Sequence, residues 1–196
     1  MSARTFWKLA LIFGLWQGWS ESVLAVLPIE QWRTAAGARV LFVQTNDLPM
    51  LDVAIDFPAG ASRDPDGRSG LAAMTLRLMR MGAENIGEEE ISARLADAGA
   101  ELSGRFDVDR AGYSIRTLSS LRERRDALAI LAAVVQRPRF PAEALAREKE
   151  RTLAGLRESD TKPETIAARE FRRLIYGSHP SAQSESGEIA TVSLIA

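Results

Sequence analysis

The run LDVAIDFPAG, Leu51 to Gly60, alternates apolar and polar residues, and a pleated strand turns that alternation into two faces. Leu51, Val53, Ile55 and Phe57 fall on one face and Asp52 and Asp56 on the other, so one side is expected to cover a core while the other meets water. ARVLFVQT, Ala38 to Thr45, is a second β-branched run, and NDLPM between the two reads as a short connection that pairs them. The Gly, Pro and Asp content of GASRDPDGRSG, Gly60 to Gly70, makes it a loop. Ser69 is the expected N-cap of a helix from Gly70 to Met81, terminated by a left-handed Gly82.

A second helix opens on Glu88, Glu89 and Glu90, acids that the helix dipole favours, and stops at Gly99. Ala100 to Leu118 reads as a β-hairpin with its turn near Asp107 to Ala111. SLRE, Ser120 to Glu123, is the pattern of a capping box, and Leu121, Leu128, Leu131 and Val135 fit one face of the helix behind it. RPRFP, Arg137 to Pro141, breaks that helix. Ala142 to Glu158 predicts a long, largely exposed helix with charge pairs at four-residue spacing. TKPE, Thr161 to Glu164, restarts a helix that reaches Tyr176, and the tail is loop-like until its last few residues. The order, two strands, two helices, two strands and three helices, is that of an α+β fold with helices packed on one face of an antiparallel sheet.

Composition narrows the chemistry. The 196 residues carry 25 Lys and Arg against 26 Asp and Glu, and a net charge of −1 gives no field to attract nucleic acid. The absence of cysteine excludes disulfides, thiolate metal sites and cysteine nucleophiles. His179 is the single histidine, it lies in a GSHP loop, and with no nucleophile-elbow pattern nothing activates a serine. The loop Gly60 to Gly70 lacks the Lys and Ser/Thr of a phosphate-binding loop, and LRERRDAL, Leu121 to Leu128, balances its arginines with Glu123 and Asp126. At the N-terminus, Arg4 and Lys8 precede the apolar LALIFGLW, Leu9 to Trp16, and SVLA ends at Ala25. This is a secretory signal pattern, with residues 1–25 removed and 26–196 exported, in a Gram-negative cell to the periplasm. A retained anchor is the alternative, but Gln17, Ser20 and Glu21 interrupt the run before it reaches spanning length, so no stable membrane insertion is expected after cleavage.

Several ordered segments resemble the insulinase-like, or pitrilysin, family of zinc peptidases, which includes the mitochondrial processing peptidases. They are VLFVQTNDLPMLDVAIDFPAGASRDPDGRSGLA from Val40 to Ala72, LADAGAELSG from Leu95 to Gly104, FPAEALAREKERTLAGLRE from Phe140 to Glu158, and YGSHP from Tyr176 to Pro180. Catalytic members carry H-x-x-E-H directly after the GLA that opens the helix, because residues four apart share a helical face and bring two imidazoles to one zinc. The corresponding positions here are Ala73, Leu76 and Arg77. The resemblance further implies a glutamate ligand on the long later helix, seven residues after another acid; with Glu148 as that acid, the ligand position holds Gly155. Registering Glu150 or Glu158 as the ligand instead still leaves both histidines missing, and Arg77 brings a permanent positive charge to the metal position.

The resemblance therefore implies a single insulinase-like N-terminal domain over residues 26–196, ending before a second similar domain, with no catalytic or metal residue of its own. The expected role is that of an accessory subunit in a heterodimer, binding unstructured peptide beside a catalytic homologue that carries the zinc. Two other readings stand beside it: an active zinc metalloendopeptidase using unconventional ligands, and a peptide-binding scaffold without a peptidase partner. The substrate-binding residues are not specified by the sequence.

Overall fold

The computed structural model describes residues 28–196, so the expectation of a signal peptide over 1–25 lies outside the described residues. The chain divides into two compact units, one ending at Leu48 and one running from Pro49 to Ala196. In the first, β1 (Glu30–Arg33) and β2 (Arg39–Phe42) form an antiparallel hairpin with Trp32 opposite Val40 and Glu30 opposite Phe42. The Trp32 and Phe42 rings meet diagonally, their centroids 6.3 Å apart.

The second unit is built on a three-stranded antiparallel sheet in the order β3-β7-β6, with β3 spanning Met50–Phe57, β6 Glu101–Phe106 and β7 Ala111–Leu118. The two N-terminal runs were expected to pair with each other; instead β2 pairs with β1, and β3 pairs with β7, Val53 facing Ile115 and Ile55 facing Tyr113. Sequence proximity favoured the wrong ladder, because the apolar face of β3 is matched by the alternation of β7 far along the chain. The two-faced reading of β3 holds. Val53 and Ile55 pack against the core, while on the opposite face Arg116 bonds both carboxylate oxygens of Asp52, at 2.7 and 3.2 Å, and Arg105 bonds Asp56 at 3.0 Å. The Arg116 hydrogen bonds and charge hold the Asp52 carboxyl below its ordinary value.

The buried face of the sheet is covered by α1 (Leu71–Met79), α2 (Glu88–Asp97) and α3 (Leu121–Gln136). Leu76, Ile91, Leu102, Tyr113, Ile115 and Leu131 anchor the core cluster between the layers. A second cluster lies beyond α1, where Met74 and Leu78 meet Ala144 and Leu153 of α4 (Ala142–Ser159), with Val192 of the short α6 (Ile189–Val192) and Ile195. Thus α1 is apolar on two sides because it packs on two sides. α5 (Pro163–Tyr176) follows α4 after a proline restart, and a two-residue ladder, β4 (Gly82–Ala83) with β5 (Ile86–Gly87), links α1 to α2.

Several local expectations are corrected. Gly70, not Ser69, is the N-cap of α1, in the left-handed region at φ 93°, and the capping acceptor is the buried carboxylate of Asp64. Its two oxygens accept the N–H groups of Gly70 at 2.8 Å and Ala72 at 2.7 Å, while the Ser69 hydroxyl donates to the Ser184 carbonyl instead. Gly187 packs directly on Gly70, and a β-carbon on either would come within 2.9 Å of the other's Cα, so both must be glycine-small. Gly82 does not turn left-handed but enters β4. Ser120 bonds the Glu123 side chain rather than the helix backbone, and Leu121 is 73% exposed, because α3 faces the core through Ala127, Ile130, Leu131 and Val134. On α4, among the described residues, the four-residue spacing is used only at its end, where Glu158 pairs with Lys162 beyond the helix at 2.7 Å; Arg151 lies 3.9 Å from Glu148 at three-residue spacing, and Arg147 reaches Glu88 of α2 at 2.6 Å. The hairpin, the break at Arg137 to Pro141 and the bounds of α2 and α5 follow the expected pattern.

The Asp64 cap generates a direct test. Asp64→Ala leaves two interior N–H groups without an acceptor and is expected to lower unfolding free energy by about 1–3 kcal/mol. Urea denaturation of the full chain checks it; an unchanged midpoint would show that α1 does not depend on this carboxylate.

Candidate functional site

The three α1 positions that the resemblance assigns to a zinc motif, Ala73, Leu76 and Arg77, each have a different structural task. Ala73 is buried and contributes only a methyl. Leu76, also buried, turns toward the sheet: the ideal β-carbon of Gly104 on β6 would sit 3.6 Å from Leu76 Cδ2, and the Tyr113 hydroxyl donates to the Leu76 carbonyl. Leu76 is thus part of the core cluster. Arg77 is exposed along its length but fixed at its head, where Nη1 donates to the Thr152 hydroxyl of α4 at 2.8 Å.

On α4, Glu148, Thr152 and Gly155 follow one another at four- and three-residue spacing and so share a helical stripe. Glu148 and Thr152 are buried, and the only ion-pair partner of Glu148 among the described residues is Arg151, at 3.9 Å. Gly155 is exposed, and a β-carbon there would meet nothing within 4 Å. The structure therefore brings Arg77 to Thr152, one turn before Gly155, and leaves Gly155 open. Glu150 and Glu158 are exposed, and Glu158 is taken by Lys162 at 2.7 Å. His179 is exposed and its Nδ1 accepts the Ser181 N–H at 3.2 Å, an ordinary loop contact.

Zinc does not fit this set. An alanine methyl, a leucine side chain, a guanidinium and a glycine supply no lone pair to a cation, and the guanidinium adds repulsion. Among the described residues no group of three His, Asp or Glu side chains is placed to hold a metal ion.

A cavity of about 240 Å³ opens beside the same face of α1. Its wall includes Ala73, Leu76 and Arg77 together with Arg80, Gly104 and Phe106 of β6, Tyr113, and Glu185 from the C-terminal segment. Arg80 and Glu185 were missed by sequence reasoning. Arg80 was legible, being one helical turn beyond Arg77, whereas Glu185 reaches the site only through the fold. Burial pushes the Tyr113 phenol up to about 12, against the opposing pull of the Arg80 charge.

That shift fixes a pH dependence. The phenol is neutral in the fold and ionises more easily in the unfolded chain, so its contribution is complete below pH 10 and is lost as pH rises from 10 to about 12. Alkaline titration followed by circular dichroism should show unfolding in that window, and Tyr113→Phe should flatten it while costing about 1 kcal/mol at neutral pH through the lost hydrogen bond. An unaltered alkaline transition in the variant would assign it to another group.

Comparison with known proteins agrees with the frame. The family model for insulinase, peptidase family M16, matches residues 39–186. A Helicobacter pylori protein described as the non-peptidase homologue YmxG is 24% identical over 181 residues, spanning 91% of this chain and 40% of that protein. The crystal structure of a peptidase M16 inactive domain from Pseudomonas fluorescens is similar with a TM-score of 0.84 and 35% identity, over 87% of this chain and 41% of that one. Pitrilysin shares the fold, with a TM-score of 0.69 at 20% identity, over 85% of this chain and 18% of its own. The chain thus spans about two fifths of the length of the first two relatives.

Proposed function

The chain belongs to the insulinase family of peptidases, family M16, and from that premise we propose that it is a non-catalytic domain of the family serving as an accessory subunit, binding extended peptide beside a zinc-bearing homologue that performs the hydrolysis. The observation that carries this reading is the pairing of an intact frame with a zinc position rebuilt from Ala73, a core-packed Leu76 and a guanidinium tied to Thr152. The naming of one relative as a non-peptidase homologue and of another as an inactive domain supports it. An inert wall that binds and orients substrate raises the rate of a neighbouring site without chemistry of its own. β6 is an edge strand of its sheet and runs past the cavity, which supports capture of an extended peptide by backbone hydrogen bonds.

The helix α5 supports association with a second domain of the family. Its polar side faces the chain: Arg169 pairs with Asp160 at 2.7 Å, Arg172 donates to the Gln183 carbonyl at 3.5 Å, and Arg173 lies 3.7 Å from Glu188. Its apolar side faces outward, with Phe171 65%, Leu174 83% and Ile175 59% exposed. Three large side chains exposed on one stripe make a patch of the kind that marks an interface. The relatives carry more than as much chain again, and a homologous zinc-bearing domain is the occupant this reading assigns to that stripe. The basic and apolar opening, Arg4 and Lys8 before Leu9 to Trp16, supports export, in a Gram-negative cell to the periplasm.

The test is co-expression with an intact H-x-x-E-H homologue from the same genome. The reading expects no cleavage of an unstructured peptide by this chain alone and a faster rate when the pair is mixed. Phe171→Asp with Leu174→Asp changes exposed positions, so stability is expected to stay within about 0.5 kcal/mol per site, while co-purification falls at least tenfold. Retained association in that double variant would move the interface elsewhere, and chelator-sensitive cleavage by this chain alone would overturn the accessory role.

A further inference from the structure

The cavity on α1 has a chemical character that the loss of zinc by itself does not require. Two guanidinium groups, Arg77 and Arg80, line it from one helix, three residues apart and therefore on neighbouring positions of one face. Neither takes part in an ion pair among the described residues, although twelve such pairs form elsewhere. Arg77 spends one N–H on Thr152, which orients its head, and a guanidinium has five. The Arg80 side chain makes no hydrogen bond among the described residues. The one acid in the lining is Glu185, so the charged groups leave one unbalanced positive charge. Leu76, Phe106 and the Tyr113 ring supply apolar walls, and a low-dielectric wall strengthens the attraction of an arginine pair for an anion. A volume of about 240 Å³ admits one side chain or chain end.

We propose that this cavity is a carboxylate subsite, in which Arg77 and Arg80 together hold a peptide carboxylate, from an acidic side chain or a chain terminus, while the peptide lies along β6. The assignment rests on the peptide-binding reading above and adds a preference to it. A planar guanidinium takes a carboxylate through two parallel hydrogen bonds, and a second guanidinium one turn away meets the remaining lone pairs. The substitution that repels a metal cation is the one that attracts an anion. Glu185, the one acid in the lining, opposes an incoming carboxylate by its charge.

Fluorescence anisotropy of the full chain, with rhodamine-labelled eight-residue peptides of Ser, Thr and Val, tests this. One peptide has blocked ends and a central Glu, the second is its Gln counterpart, and the third has no acidic side chain but a free C-terminal carboxylate. The expected result at low salt is at least tenfold tighter binding of one or both carboxylate peptides than of the Gln peptide, and the one preferred identifies the source. Arg77→Gln and Arg80→Gln should each abolish the preference, high salt should shrink it, and Glu185→Gln should increase affinity severalfold. Arg80→Gln removes no described bond, so it keeps the test valid if Arg77→Gln disturbs α1. Equal binding of all three peptides, or a preference that survives both arginine variants, overturns the subsite while leaving peptide binding intact. Binding of none overturns both.

Discussion

The carboxylate of Asp64 enters the interior and is held there by the N–H groups of Gly70 and Ala72, and the placement of α1 follows from that cap. The first turn of a helix leaves backbone donors without partners, and a buried first turn must find acceptors or lose stability. With its start fixed, α1 passes between two apolar clusters, giving Leu76 to the sheet and Met74 and Leu78 to α4. The close contact of Gly70 with Gly187 draws the C-terminal segment over the same end. Thr191 adds to this closure by donating its hydroxyl to the Ser69 carbonyl at 2.7 Å. Everything at the degenerate zinc position is arranged around a helix that cannot shift without opening both clusters.

The same cap explains how this face of α1 is held without a metal. Ligands of a metal sit on a helix face that the metal itself keeps polar, and without the metal their side chains must find other partners. Leu76 removes the need for a partner by packing against Gly104 and Tyr113. Arg77 crosses to Thr152 and keeps α1 and α4 in polar contact. Core packing of Leu76 and the hydrogen bond from Arg77 to Thr152 fix this face of α1 without a metal ion.

Features carried by neighbouring residues were legible in the sequence. The alternation of β3, the hairpin from Ala100 to Leu118 and the stop at Arg137 to Pro141 depend on local pattern, and the positions Ala73, Leu76 and Arg77 on α1 come from the resemblance of the segment behind GLA to the family's motif. Features set by distant partners were not. The pairing of β3 with β7 joins segments some sixty residues apart. Asp64 caps α1 from within a loop where Ser69 looked the better acceptor, because the loop folds back on the helix. TKPE marks the start of α5, but only the contacts of Arg169, Arg172 and Arg173 show that its polar side is the inner one. At the site, the resemblance pointed to Gly155, whereas the residue that meets Arg77 is Thr152, a partner set by how the long arginine side chain lies between the helices.

The most direct test of the central claim, a preserved peptidase frame without its metal chemistry, is the zinc content of two full-length proteins after equilibration with equimolar zinc and gel filtration. One is the natural chain and the other carries Ala73→His, Arg77→His and Gly155→Glu. The account predicts no zinc retained by the first and one zinc per chain by the second, because α1 and α4 already meet through Arg77 and Thr152, one turn from Gly155. One zinc held by the natural chain would contradict it by revealing a ligand set outside these positions, and none held by the variant would show that the frame itself has moved.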